Sequence, residues 1–141
     1  MDTAMYQTAT IIALVVFLVA GPILLARPER FPARQAWMAP AGAAAVLFAW
    51  TLLAIAREGP VGFWPHHLSD AWGVQIWMDL LLSAGTAFAL LAPRARAVGM
   101  NPLPWFVTVA LSGSIGLLAM AARYLFLAHR ERRPPAPTVG A

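Results

Sequence analysis

Apolar residues fall along this chain in four long blocks, and all but two of its charged residues lie outside them. A bilayer core about 30 Å thick is crossed by a helix of roughly 20 apolar residues. The blocks at 8–26, 36–56, 71–92 and 104–128 meet that length, so the pattern predicts four transmembrane helices and an all-α protein. The first block, TATIIALVVFLVAGPILLA, carries Gly21-Pro22, which is expected to kink or loosen its last turn. A cleaved signal peptide is the rival reading of this block. Asp2 is acidic and no basic residue precedes the apolar run, which argues for a retained helix.

The connections are short: RPERFPARQ, REGPVGFWPHHLSD and PRARAVGMN. Short connections make sequential helices antiparallel neighbours, which predicts a compact four-helix bundle over residues 1–128. The remaining stretch, HRERRPPAPTVGA from His129, is an Arg/Pro-rich tail whose composition builds no core.

Composition sharpens the picture. Of the 141 residues, 60% are hydrophobic and 11% charged, and the mean hydropathy is +0.68. A soluble domain carries about 25% charged residues, so the expected solvent is the lipid bilayer. There are no cysteines, which removes disulfides and thiolate chemistry. All ten cationic residues are arginine, and with the abundance of alanine this suggests a GC-rich bacterial genome. The expected location is therefore a bacterial inner membrane, crossed several times. The net charge of +4 does not point to nucleic acid. The arginines lie at block ends, where they act as topology signals and headgroup contacts.

Those arginines give conflicting topologies. Arg27, Arg30 and Arg34 in the first loop and Arg94 and Arg96 in the third place both loops in the cytoplasm, with both termini outside. Arg57 and the tail residues Arg130, Arg132 and Arg133 argue for the reverse. The tryptophan-rich second loop resembles an outer interfacial belt, so both termini are expected on the outer side.

Asp79 is the only acid inside a block. A central aspartate costs about 2.5–3.5 kcal/mol, while each Leu or Ile returns about 0.3–0.6, so the helix can insert but the carboxylate should face protein or water. Gln75, Asp79, Ser83 and Thr86 fall at i, i+4, i+8 and i+11, one polar stripe on a single face. The fourth block offers Ser112, Gly116, Ala119 and Arg123 on one face, with Ser112 and Gly116 as a small-xxx-small pair. In an antiparallel pair of helices, Asp79 would lie level with Gly116, and Arg123 about 10 Å nearer the outer surface. Asp79 is then either a buried packing residue, bonded within the bundle, or a carboxylate that binds a ligand or partner. Ala41 and Ala45 form a further small-residue pair in the second block, and Gly113 and Gly116 of GSIG are expected to serve helix packing.

His66 and His67 sit between Trp64 and Trp72. A metal site needs three or four ligands in fixed geometry, and no HxxxH or ExxH spacing accompanies them, so no metal site is expected. One axial bond to a haem or magnesium porphyrin needs only a single histidine, so a pigment or haem contact remains a minor option, as does a quinone on the aromatic belt. Otherwise this segment is a polar interfacial loop, with Ser69 or Asp70 capping the third helix. No nucleophilic triad, phosphate loop or dinucleotide fingerprint is present. In NPLPW, Asn101 can cap the fourth helix, with Pro102 and Pro104 fitting its first turn.

From about residue 37 to 129 the chain resembles a group of small bacterial membrane proteins known as a domain of unknown function. The resemblance rests on WMDLLLSA, GMNPLPW and GSIGLLAMAAR, through Asp79, Asn101, Pro102, Pro104, Trp105, Gly113, Ser114 and Gly116. It implies helices opening near Asp79 and after the NPLPW turn, and no activity. The expected function is a non-catalytic accessory or assembly subunit of a larger membrane complex, photosynthetic or respiratory, with lipid and other membrane subunits as partners. The alternative is a small membrane enzyme or binder for an isoprenoid, quinone or pigment, using Asp79 in an intrabundle pocket.

Overall fold

A computed structural model describes residues 3–26 and 35–131. The first connection, with Arg27, Arg30 and Arg34, lies outside the described residues, as does the tail from Arg132. The chain divides into two units, Met1–Ala33 and Arg34–Ala141. In the first, α1 (Thr3–Ala26) runs through Gly21-Pro22 as helix. Its Thr8 and Thr10 hydroxyls donate to the carbonyls of Ala4 and Tyr6 at 2.7 and 2.9 Å. Such back-bonding hides polar groups on an otherwise apolar helix.

The second unit holds α2 (Met38–Glu58), α3 (Phe63–Leu68), α4 (Ala71–Ala97), α5 (Pro102–Ser112) and α6 (Ser114–Glu131). Among the described residues the secondary structure is entirely helical, in six helices rather than the four expected. Local chemistry sets the boundaries. Gly59 ends α2 at φ +81°, donating its N–H to the Ile55 carbonyl. Asp70 opens α4 from an extended conformation, its Oδ1 accepting from the Gly73 amide at 2.7 Å. Of the two caps the sequence offered, Ser69 and Asp70, the N-cap is Asp70, and it satisfies one of the orphan donors of the first turn.

α4 runs through Pro93 to Ala97, so Arg94 and Arg96 belong to its last turn and not to a loop. It closes in a Schellman turn. Gly99, at φ +75°, donates to the Arg96 carbonyl and Met100 donates to that of Ala95, both at 3.0 Å. Asn101 then accepts from the Leu103 amide at 3.1 Å, and Pro102, which has no N–H to leave unpaired, opens α5.

The expected fourth helix is two helices. Gly113 sits at φ +57°, ψ −127°, a conformation effectively confined to glycine. Its N–H donates to Val109 at 2.7 Å, closing α5, and the chain reverses. A Cβ added to Gly116 would lie 2.9 Å from the Thr108 backbone and 2.8 Å from Ser112 Oγ. In a straight helix residues 108 and 116 stand about 12 Å apart along the axis. α5 and α6 therefore form a hairpin. Ser112 and Gly116 approach closely within this hairpin, and Gly113 is its hinge.

α6 is the inner helix of the unit, with only Arg123, Arg130 and Glu131 exposed. Met120 is fully buried with Ala95 and Met100, and Trp105, Tyr124, Leu127 and Phe88 pack around them. Phe88 of α4 meets Phe106 of α5 edge-on at 5.5 Å. Trp37, just before α2, meets Phe126 near the end of α6 in the same manner at 5.8 Å. Ala41 and Ala44 of α2 share a groove with Ala119 and Ala122 of α6. Ala45, expected to pair with Ala41, is exposed instead, because Ala44 holds the next inward position. α2 and α6 are thus antiparallel. The C-terminal ends of α4 and α6 therefore point toward the end of the unit where α2 begins.

α2 and α4 are each long and apolar enough to cross a bilayer. α5, at 11 residues, extends only about 16 Å and cannot. The buried core is small, mostly alanine and methionine, while Leu111 is 84% and Trp72 75% exposed. That inversion suits an apolar surrounding and would be adhesive in water.

Glycine substitutions test the hairpin. Gly113→Ala should cost about 1–3 kcal/mol through its backbone conformation, and Gly116→Leu should cost more, by forcing α5 off α6. Gly42 and Gly85 face open space, so alanine there should be neutral or stabilise by up to about 1 kcal/mol. Thermal unfolding in detergent reads all four. Equal tolerance at Gly113 and Gly42 would count against the turn.

Candidate functional site

The segment that carries the two histidines is a helix. Phe63-Trp64-Pro65 form the first turn of α3, where proline's missing N–H breaks no intrahelical bond. Helical spacing puts Phe63 and His67 on one side, and that side lies on Trp77 of α4. Phe63 stacks on Trp77 with centroids 6.0 Å apart, Trp64 meets it edge-on at 6.4 Å, and His67 at 5.2 Å. The His67 Nδ1–H donates to the Phe63 carbonyl at 2.6 Å, which leaves Nε2 as the nitrogen with a free lone pair. The side chain of His66 lies outside the described residues. Among the described residues no group of three or more His, Asp or Glu could hold a metal ion. One imidazole offers at most one axial bond. The aromatic clasp went unpredicted because Gly62 and Pro65 read as loop residues; the Phe63/His67 spacing of four was the available signal.

The polar stripe of α4 faces outward. Gln75, Asp79, Ser83 and Thr86 are all exposed, whereas Trp77, Leu80, Ala84, Phe88, Leu91 and Ala95 carry the covered side. At about 100° per residue, Asp79 lies about 145° from the centre of that covered face. Its expected burial within the bundle is thereby corrected. The inward face of α4 is taken by the α5–α6 hairpin and by α3, which leaves the stripe pointing away from both. Among the described residues no hydrogen bond or ion pair engages Asp79.

Arg123 is not near it. Arg123 lies beside Met120 and Tyr124, which pack on Ala95 and Met100 toward the far end of α4. From Asp79 to Ala95 is 16 residues, about 24 Å along the axis. The expected proximity assumed an unbroken fourth helix, and the Gly113 turn reverses its direction. Ser112 donates its hydroxyl to the Thr108 carbonyl at 2.7 Å and is likewise spent locally.

The site residues therefore divide into three separate places: an aromatic clasp over α3 and α4, an outward polar stripe on α4, and an arginine in the α2–α6 groove. The stripe combines a carboxylate acceptor, an amide and two hydroxyls over about 16 Å of helix, a set suited to bonding another helix rather than to acid–base chemistry. No protein-family model, curated protein or solved structure matches the chain.

Asp70→Ala should remove the α4 cap and lower stability by about 0.5–2 kcal/mol. Trp77→Ala should strip α3 of its support, seen as faster amide exchange confined to residues 63–70. Unchanged exchange there would mean that the aromatic contacts do not hold α3.

Proposed function

We propose that this chain is a multi-pass protein of a bacterial cytoplasmic membrane that serves as a non-catalytic subunit of a larger membrane complex, docking on a partner helix through the outward face of α4. One observation carries the reading: Asp79 stands exposed, with Gln75, Ser83 and Thr86, on the side of α4 opposite its own core. A carboxylate turned toward hydrocarbon costs several kcal/mol. A partner that supplies donors to Asp79 removes that cost, and interhelical hydrogen bonds in lipid return about 0.6–2 kcal/mol each. An intrabundle ligand pocket would need Asp79 on the inner face, so the enzyme reading draws no comparable support. The resemblance of residues 37–129 to small bacterial membrane proteins belongs to this proposal and brings no activity with it.

The charges support one orientation. Arg94, Arg96 and Arg130 gather at one end of the second unit, and Arg57 at the other is followed by Glu58. Excess arginine marks the cytoplasmic side. With the hairpin folded back, the described C-terminal end belongs with the third connection inside, and the earlier conflict between loop and tail charges disappears. Three crossings by α1, α2 and α4 then put the N-terminus outside. This orientation keeps the N-terminus on the outer side, as expected from the sequence, and puts the described C-terminal end of α6 on the cytoplasmic side.

The test is Asp79→Leu beside Asp79→Asn, in membranes extracted gently and run by native electrophoresis. The wild type should migrate in a larger assembly. Asp79→Leu should release it as free, folded chain, and Asp79→Asn, which keeps one acceptor, should release it partly. A wild-type chain that runs alone under the mildest extraction would overturn the reading.

A further inference from the structure

We infer that the groove between α2 and α6 is a binding site for an anionic phospholipid of the cytoplasmic leaflet, its phosphate held by Arg123 and Arg130 and one acyl chain laid along an alanine floor. The inference rests on the membrane reading above but not on the docking of α4.

The groove has a volume of about 380 Å³. Its floor is Ala41, Ala44, Ala119 and Ala122; Trp37 and Phe126 form its wall, and Arg123 enters it. Among the described residues no acidic one lines it. Arg123 is exposed and, among the described residues, has no hydrogen bond or ion pair. It stands eight residues from the end of α6, about 12 Å into the membrane side of that end. An arginine at such depth draws in an anion or water, because bare hydrocarbon cannot solvate it.

Charge spacing selects the occupant. Arg123 and Arg130 are seven residues apart and share one face of α6, about 10 Å from each other along the axis. Between them lies Phe126, with the Arg130 guanidinium 5.7 Å from the ring centroid. A phosphate placed over Phe126 stands within reach of both side chains, and guanidinium forks suit phosphate oxygens. Basic pockets between helices at the cytoplasmic side are suited to anionic headgroups. The alanine floor continues the site inward as an open, apolar groove, which fits a hydrocarbon chain rather than a soluble anion.

The experiment reconstitutes the full chain in nanodiscs of equal phosphatidylglycerol and phosphatidylcholine and counts lipids retained after mild extraction by native mass spectrometry. Wild type should retain phosphatidylglycerol preferentially. Arg123→Gln should lower that preference about fivefold, as expected for one arginine at a membrane surface; Arg123→Lys should largely keep it. Ala44→Leu, which fills the floor with both arginines intact, should also lose the retained lipid. Circular dichroism confirms that each variant is folded. Equal retention of the two lipids by wild type would overturn the site, and so would an unchanged preference in folded Arg123→Gln. Competition by millimolar inorganic phosphate that matches lipid displacement would make it a free-anion site and overturn it as well. A chain that fails to enter the nanodiscs would instead overturn the membrane reading.

Discussion

The close contact between Gly116 and the Thr108 backbone, reached through the left-handed turn at Gly113, is the constraint from which the rest of this fold follows. It folds α5 back on α6 and so decides which end of the unit receives the C-terminal helix. With the hairpin in place, Met120 can meet Ala95 and Met100, and Trp105 and Tyr124 close around them. Without glycine at both positions neither the backbone conformation nor the approach distance is available. In lipid such a turn needs protein or water around it, since the freed amides of Ser114, Ile115 and Gly116 have no headgroup or solvent to bond. The turn residues from Ser112 to Ile115 are accordingly half-buried.

Two features of the surface are consequences of that turn. The hairpin occupies the inner face of α4, so the stripe through Asp79 is left facing away from the rest of its own unit. The same reversal turns the ends of α4 and α6, which carry Arg94, Arg96 and Arg130, the same way and places Arg123 far from Asp79. The two charges within apolar blocks therefore lie far apart, both exposed: the acid on the outer face of α4 and the arginine in the α2–α6 groove.

Much of this was legible in the residues. Block lengths identified α2 and α4 within a few residues, Asp70 and Asn101 announced their helices as caps, and the four-residue spacing from Gln75 to Ser83 placed the polar groups on one face. Hydropathy could say that Asp79 shares a face with Ser83, but not which way that face turns, because α4 is apolar on both sides and burial there depends on what α5 and α6 do. The block 104–128 is continuous in hydropathy, so the break inside GSIG was invisible to it; glycine in a membrane helix usually signals packing, and only the positive φ at Gly113 distinguishes a hinge. Likewise Pro65 and Gly62 masked α3, whose support comes from Trp77, more than eight residues farther along the chain.

The distance between Leu103 and Arg130 tests the fold-back most directly. The chain has no native cysteine, so Leu103→Cys with Arg130→Cys can be spin-labelled cleanly and measured by pulsed electron resonance in nanodiscs. The hairpin brings both positions to the same end of the unit, and a distribution centred below about 25 Å is expected, allowing for label length around a helix pair 8–10 Å apart. An unbroken helix from 103 to 130 would instead separate them by about 40 Å, and a distribution centred there would contradict the hairpin, the shared cationic end and the outward stripe together.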